Sequence, residues 1–147
     1  MLSKFIGYTL LGLTGEAIEV EVDTNNGLPS FDIVGLPDAA VKESKERVRS
    51  AIKNSGRRFP NHKITVNLAP ADLKKEGAGL DLPIALGIIK ASSQLVGANC
   101  DDTVFIGELS LDGSVRSVTG ILPILISARE HGYKKAIIPS ANAKEGE

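Results

Sequence analysis

Apolar residues alternate with charged ones between positions 17 and 22, where Ile18, Val20 and Val22 take every second place against Glu19, Glu21 and Asp23. A period of two predicts a strand with one dry and one wet face. A partner strand over 4–13 precedes it, with Gly15 as the expected turn, and Asn25-Asn26-Gly27 signals the next reversal. A third short strand is predicted over 31–34. Gly35-Leu36-Pro37-Asp38 breaks it and opens a helix over Asp38–Asn54, capped by Asp38 and stopped by Gly56. The period changes accordingly, for Val41, Val48 and Ile52, with Ala40 and Ala51, make one helical stripe.

Further along, "KITVNL" at 63–68 predicts a strand, and Asp81 is placed to cap an apolar helix through Leu82, Ile84, Leu86 and Ile89. "TVFIGELSLDGSVRSV" at 103–118 reads as a hairpin turning at Asp112-Gly113. A helix over 121–131 stops at Gly132 and feeds a strand over 135–138. Residues 140–147 look like a helix just beginning, so the chain reads as a piece of something longer. Strands first, then alternating elements with at least one βαβ unit among the late strands, define an α+β fold, expected as a single domain over 1–147.

Composition narrows the function more than the fold. A chain of 147 residues with 42% hydrophobic content can bury a core without disulfides or metal. Seventeen basic residues against eighteen acidic ones leave a net charge of −1, so affinity for nucleic acid has to come from a local patch. The single Cys100 has no internal partner for a bridge, the first residues lack a signal-peptide run, and no stretch reaches membrane-spanning length. A cytoplasmic protein without membrane contact is expected.

Three stretches carry candidate chemistry. "KKEGAGLDLPIALG" at 74–87 sets lysines and glycines at the mouth of a helix, but it lacks the Gly-Lys-Ser/Thr of a nucleotide loop. Asp81 would also repel phosphate there, and Lys74 and Lys75 read as solvated loop charges. Glu16, Glu19, Glu21 and Asp23 are either the wet face of a strand or a cation site; His62 and His131 stand at no metal-ligand spacing. The helix over Asp38–Asn54 keeps Lys42, Lys45, Glu46, Arg49 and Lys53 off its apolar stripe, and Arg57 and Arg58 extend the positive charge. These groups are a solvated face, a contact for a phosphate backbone, or a contact for a neighbouring subunit.

Three blocks in order, "FDIVGLPDAAVKESKERVRSAIKNSG" at 31–56, "ITVNLAPADLKKEGAGLDLPIALGI" at 64–88 and "GELSLDGSVRSVTGILPILISAREHGYKKAIIP" at 107–139, resemble the N-terminal domain of the Mg-chelatase-like competence proteins, the ComM/YifB family. The resemblance covers essentially the whole chain. It implies a fold like the proteolytic domain of Lon protease and the C-terminal domain of the recombination protein RadA, with a mixed sheet packed by helices. It also implies that an AAA+ ATPase module, absent from these residues, follows and handles ATP and magnesium in a hexameric ring that drives DNA branch migration during natural transformation and recombination.

Lon-type peptidases carry a nucleophilic serine in the glycine-containing turn and a lysine on the following helix. By the resemblance these positions fall on Gly79 and Leu122, so both catalytic groups are absent and the turn is expected to be a retained scaffold. No cofactor or metal is expected in this piece, and it is expected neither to bind nor to hydrolyse ATP. DNA, met weakly through Lys42, Lys45, Arg49, Lys53, Arg57 and Arg58 and strengthened by avidity in a homo-oligomeric ring, is the implied partner. The alternative is a hydrolase with a site rebuilt around Asp81, Lys74 and Ser117.

Overall fold

The computed structural model describes residues 1–75, 78–92, 94 and 100–146. Glu76 and Gly77 of the glycine-containing stretch, and Glu147, lie outside them. Among the described residues there are eight strands: β1 (Leu2–Leu11), β2 (Thr14–Asn25), β3 (Ser30–Val34), β4 (Lys63–Ala69), β5 (Thr103–Phe105), β6 (Glu108–Leu109), β7 (Val115–Arg116) and β8 (Lys135–Ile137). The helices are α1 (Asp38–Asn54), α2 (Asp81–Ala91), α3 (Ile121–Glu130) and the short α4 (Ala143–Gly146).

Six strands form one sheet in the order β3-β4-β2-β1-β5-β8, and β6 pairs with β7 apart from it. Only β2 runs against its neighbours, because β3 and β4, β1 and β5, and β5 and β8 are all parallel pairs. Three βαβ crossovers result. One is the expected late unit, β5 to β8 through α3; the others, β3 to β4 through α1 and β4 to β5 through α2 across β2 and β1, lie in the part of the sequence that reads as separate elements.

The alternation in β2 decides where the helices go. Ile18, Val20 and Val22 are fully buried on the face that carries α1 and α2, together with Ile64, Val66, Leu68, Val48, Ile84 and Ile88. The opposite face takes α3 over the start of β2 and over β1, where Tyr8, Val104, Ile106, Ile121 and Ile124 make a second cluster. Beyond the reach of α3, Glu19, Glu21 and Asp23 stay on the open part of that face. There they meet Lys4 at 3.6 Å, the Asn67 amide at 3.0 Å and the terminal ammonium at 3.7 Å.

Several sequence expectations shift. The first reversal is at Gly12-Leu13, with Gly12 at φ 64°, and not at Gly15. Gly15 lies inside β2 because α3 crosses it: a Cβ there would sit 2.9 Å from the Ile124 Cα, and its N–H donates to the Ser127 hydroxyl at 2.9 Å. The cap positions fall one residue earlier than expected. Pro37 precedes α1 in extended conformation and Leu80 precedes α2, so Asp38 and Asp81 are each one position inside the helix. The predicted 103–118 hairpin splits in two. Residues 103–105 join the large sheet, and only β6 and β7 turn back at Asp112-Gly113, where Gly113 has φ 94° and the Asp112 carboxylate accepts from the Ser114 N–H and hydroxyl. The helix stops are where the glycines put them. Gly56 and Gly132 take positive φ, with Arg57 N–H bonding to the Ile52 carbonyl and Tyr133 N–H to that of Ala128.

Two consequences can be measured. Gly87 faces Val22 so closely that an added Cβ would meet its Cγ2 at 2.5 Å. Gly87→Ala, which helix propensity alone favours by about 1 kcal/mol, is therefore expected to destabilise by about 1–3 kcal/mol in urea unfolding. Burial of Tyr8 beneath α3 pushes its phenol up from 10.0 to about 12, with smaller contributions from Tyr133 and Glu16. Below pH 10 the phenol is neutral in both states; above it the unfolded chain ionises first, so stability falls as pH rises from 10 towards 12. Unfolding titrations over that range are expected to show a shallower decline for Tyr8→Phe than for the parent.

Candidate functional site

The glycine-containing turn at 78–80 is held from three sides. The Gly79 carbonyl accepts from the Gly107 N–H at 2.9 Å, and the Gly107 carbonyl accepts from the Leu82 N–H at 3.0 Å, so the chain leaving β5 is laced to the start of α2. Gly107 has to be glycine at this approach, since a Cβ would meet Val115 Cγ1 at 2.5 Å. One residue past the turn, Asp81 is buried at 1% exposure among four donors. Its Oδ2 accepts from Arg47 Nε at 2.6 Å and Leu109 N–H at 3.1 Å, and its Oδ1 from Ser44 at 3.0 Å and Arg47 Nη2 at 3.2 Å. The bidentate carboxylate raises the Arg47 pKa against the cost of burial. An opposite charge at this distance outweighs the neutral amides of a helix end, which is why Asp81 does not cap α2.

Gly79 itself lines a hollow of about 210 Å³ with Tyr8, Thr9, Ile106, Glu108, Ser117 and Thr119 among its walls. A Cβ at Gly79 would stand 3.6 Å from Ile106 and 3.7 Å from Val118, so there is room for a side chain that the sequence does not supply. Leu122 does not line this hollow. It is half exposed on the outer side of α3, in a groove against β8. Gly79 and Leu122 are thus not brought into one cavity. Ser117 does border the Gly79 hollow, but Asp81 is closed off within its own network, and Lys74 is exposed in the preceding loop. Lys75 departs from expectation: it is buried, with Nζ donating to the Pro70 carbonyl at 2.6 Å and the Leu73 carbonyl at 2.8 Å. Desolvation lowers its pKa, partly offset by Asp72. It ties the loop ahead of the turn and is not a solvated charge, because its own loop folds carbonyls around it.

The basic residues of α1 are of two kinds. Lys42, Lys53 and Arg58 are exposed. Lys45 and Arg49 lie 5.8 Å above the Phe31 ring, and Arg49 also 5.2 Å from Phe59, so these two cations stand on an aromatic pair. Arg57 donates to the Gln94 carbonyl at 2.8 Å, while the Gln94 amide bridges the Arg58 backbone. His131, at the C-terminal end of α3, bonds to the Tyr8 hydroxyl at 2.7 Å. Among the described residues no three His, Cys, Asp or Glu side chains converge on a possible metal site, and no helix is long and apolar enough to cross a membrane.

Comparison with known proteins now decides the family. The model of subunit ChlI of Mg-chelatase matches residues 20–142. The chain belongs to this Mg-chelatase ChlI family. Within it, the chain is 44% identical over 135 residues to competence protein ComM of Haemophilus influenzae and 47% identical to YifB of Escherichia coli, each covering 92% of the chain and 26% of the relative. Lon protease 2 of Bacillus subtilis is 28% identical over 140 residues, 85% of the chain and 25% of that protein, and the mixed six-stranded sheet fits a Lon-like fold. The chain thus spans about a quarter of the length of ComM, YifB and Lon protease 2.

In this ChlI-family domain the group that sequence reasoning missed is Arg47, with Ser44. The signal was present. Ser44 occupies a place in the stripe of Val41, Val48 and Ala51, and a polar residue inside a dry stripe needs a polar partner. Asp81, the one carboxylate in an apolar helix, is the matching anomaly.

The pair should be asymmetric under mutation. The Arg47 side chain keeps 22% exposure and that of Asp81 only 2%. Arg47→Met strands a buried carboxylate and is expected to cost about 3–5 kcal/mol, whereas Asp81→Asn lets the guanidinium rehydrate and is expected to cost about 1–3 kcal/mol. Urea unfolding of both variants would show this, and equal losses would contradict it.

Proposed function

We propose that this domain is a non-catalytic N-terminal part of a ComM-type AAA+ ATPase, where it supports ring assembly and engages DNA during branch migration in natural transformation and recombination. The observation that carries the reading is the row of cations on the outer side of α1. Lys42, Lys53 and Arg58 extend into solvent, and Lys45 and Arg49 are braced on Phe31 and Phe59, with Arg57 at the exit. Braced cations lose less side-chain freedom on meeting a phosphate, and exposed ones give up little of the fold's own stability. Support for the absence of catalysis is narrower: Gly79 offers only backbone at the turn, and Asp81 is fully occupied. In this reading ATP and magnesium belong to the ATPase module and the domain holds no cofactor of its own. A single copy binds DNA weakly, at about 10⁻⁴ to 10⁻⁶ M, and a homo-oligomeric ring supplies the rest by avidity.

The variants that test this avoid the residues the fold uses. Lys42, Lys53 and Arg58 changed together to Glu in the full-length protein should leave folding intact. They are expected to weaken binding to branched DNA and to reduce the salt slope by about 0.9 for each phosphate that is no longer neutralised, with unchanged assembly mass in sedimentation. Lost assembly would move the patch to a subunit contact. Unchanged binding and assembly would end the reading.

A further inference from the structure

The large sheet is open at β8, its last strand among the described residues. Lys135 N–H donates to the Asp102 carbonyl at 3.2 Å and the Ile137 carbonyl accepts from the Ile106 N–H at 3.0 Å, so both residues turn their backbone groups toward β5. The alternation of a parallel ladder then directs the N–H and C=O of Ala136 outward. Beside this edge, a groove of about 440 Å³ runs between α3 and β8. Leu122 and Ile126, one helical turn apart, are 49% and 43% exposed along it, above Leu125 and Ile138. Its charges are of one sign: Arg129, Lys134 and Lys135 line it and no carboxylate does.

We propose that this groove is a docking site for an extended acidic segment of a partner protein. The segment would add as a strand to β8, with its apolar side chains against Leu122 and Ile126 and its carboxylates on Arg129, Lys134 and Lys135. Lysines on an edge strand often serve only to keep other strands away. That role needs no apolar groove next to them, and here one runs the length of α3. A second copy of the chain fits worse. Two β8 edges paired about a two-fold axis would bring Lys134 and Lys135 of both copies to one short seam, with no carboxylate in the groove lining to offset them. The opposite edge, β3, has its Phe31 overlain by Lys45 and Arg49, which would meet the β8 lysines as like charges. A phosphate backbone would satisfy the three cations but gain nothing from Leu122, Ile126 or the free Ala136 backbone. An acidic strand uses all of them.

A blocked, fluorescent hexapeptide of alternating Val and Glu, titrated into the chain by anisotropy, tests the proposal beside its Val/Lys counterpart and a form N-methylated on alternate amides. Saturable binding is expected for the acidic peptide, at least tenfold weaker for the other two. Lys134→Glu and Lys135→Glu, both at exposed positions, should each weaken it several-fold with an unchanged circular dichroism spectrum, and Ile126→Asp should do the same. If Ile126→Asp fails to fold, the two lysine variants still decide. No saturation up to about 1 mM, or equal affinity for the N-methylated peptide, would overturn the proposal. So would salt-dependent displacement by duplex DNA that the same lysine reversals abolish while Val/Glu binding persists.

Discussion

One buried carboxylate organises the half of the molecule that contains the turn. Asp81 accepts from α1 through Ser44 and Arg47 and from the strand region through the Leu109 N–H, while standing in the first turn of α2. A charge at 1% exposure survives only when its lone pairs are spoken for, so these three segments can take only one mutual arrangement without stranding it. Apolar packing between α1 and α2 would tolerate small slides. The four hydrogen bonds do not, and they also fix where Leu80 and Gly79 come to rest beside Gly107. This ion pair contributes specificity of arrangement more than net stability, since two charges had to leave water to make it.

That division of labour explains what the sequence discloses and what it hides. Strand positions, helix stops and the Asp112-Gly113 turn depend on neighbours a few residues away, so Ile18-Val20-Val22, Gly56 and Gly132 announce them directly. The residues that moved are those whose partner is distant in sequence. Gly15 looks like a turn until α3, more than a hundred residues on, is seen to cross it. Asp81 looks like a cap until Arg47 is placed beside it. Residues 103–105 look like the arm of a hairpin because their true partners, β1 and β8, lie at the two ends of the chain. The polar surface was legible as charge but not as support: nothing local says that Arg49 rests on Phe31 and Phe59 while Lys42 does not.

The turn at Gly79 is held by contacts that involve no side chain at that position. Its carbonyl is engaged by Gly107, its hollow is walled by Thr9, Glu108 and Ser117, and its α-carbon has space for a side chain. None of these contacts depends on what the side chain is. The constraints that preserve the turn, Asp81 with Arg47 on one side and Lys75 wrapped by its own loop on the other, act on backbone position alone. A frame held in this way carries no information about whether it works as a catalyst. Similarity to Lon protease therefore speaks to the arrangement of the sheet and helices, and the reading of function has to rest on side chains elsewhere.

Those side chains are distributed unevenly around the sheet. At one edge, Phe31 of β3 lies beneath Lys45 and Arg49 of α1, whereas at the other, β8, an apolar groove runs beside the last strand among the described residues. The open face of β2 between them carries Glu19, Glu21 and Asp23, each already matched to a nearby donor or cation. A net charge of −1 thus conceals two cationic ends separated by an acidic strip. No large hydrophobic side chain of α1 is exposed among its cations; the β8 edge presents charge beside the exposed Leu122 and Ile126. That contrast in what accompanies the charge, and not the charge itself, separates a surface suited to a phosphate backbone from one suited to a polypeptide.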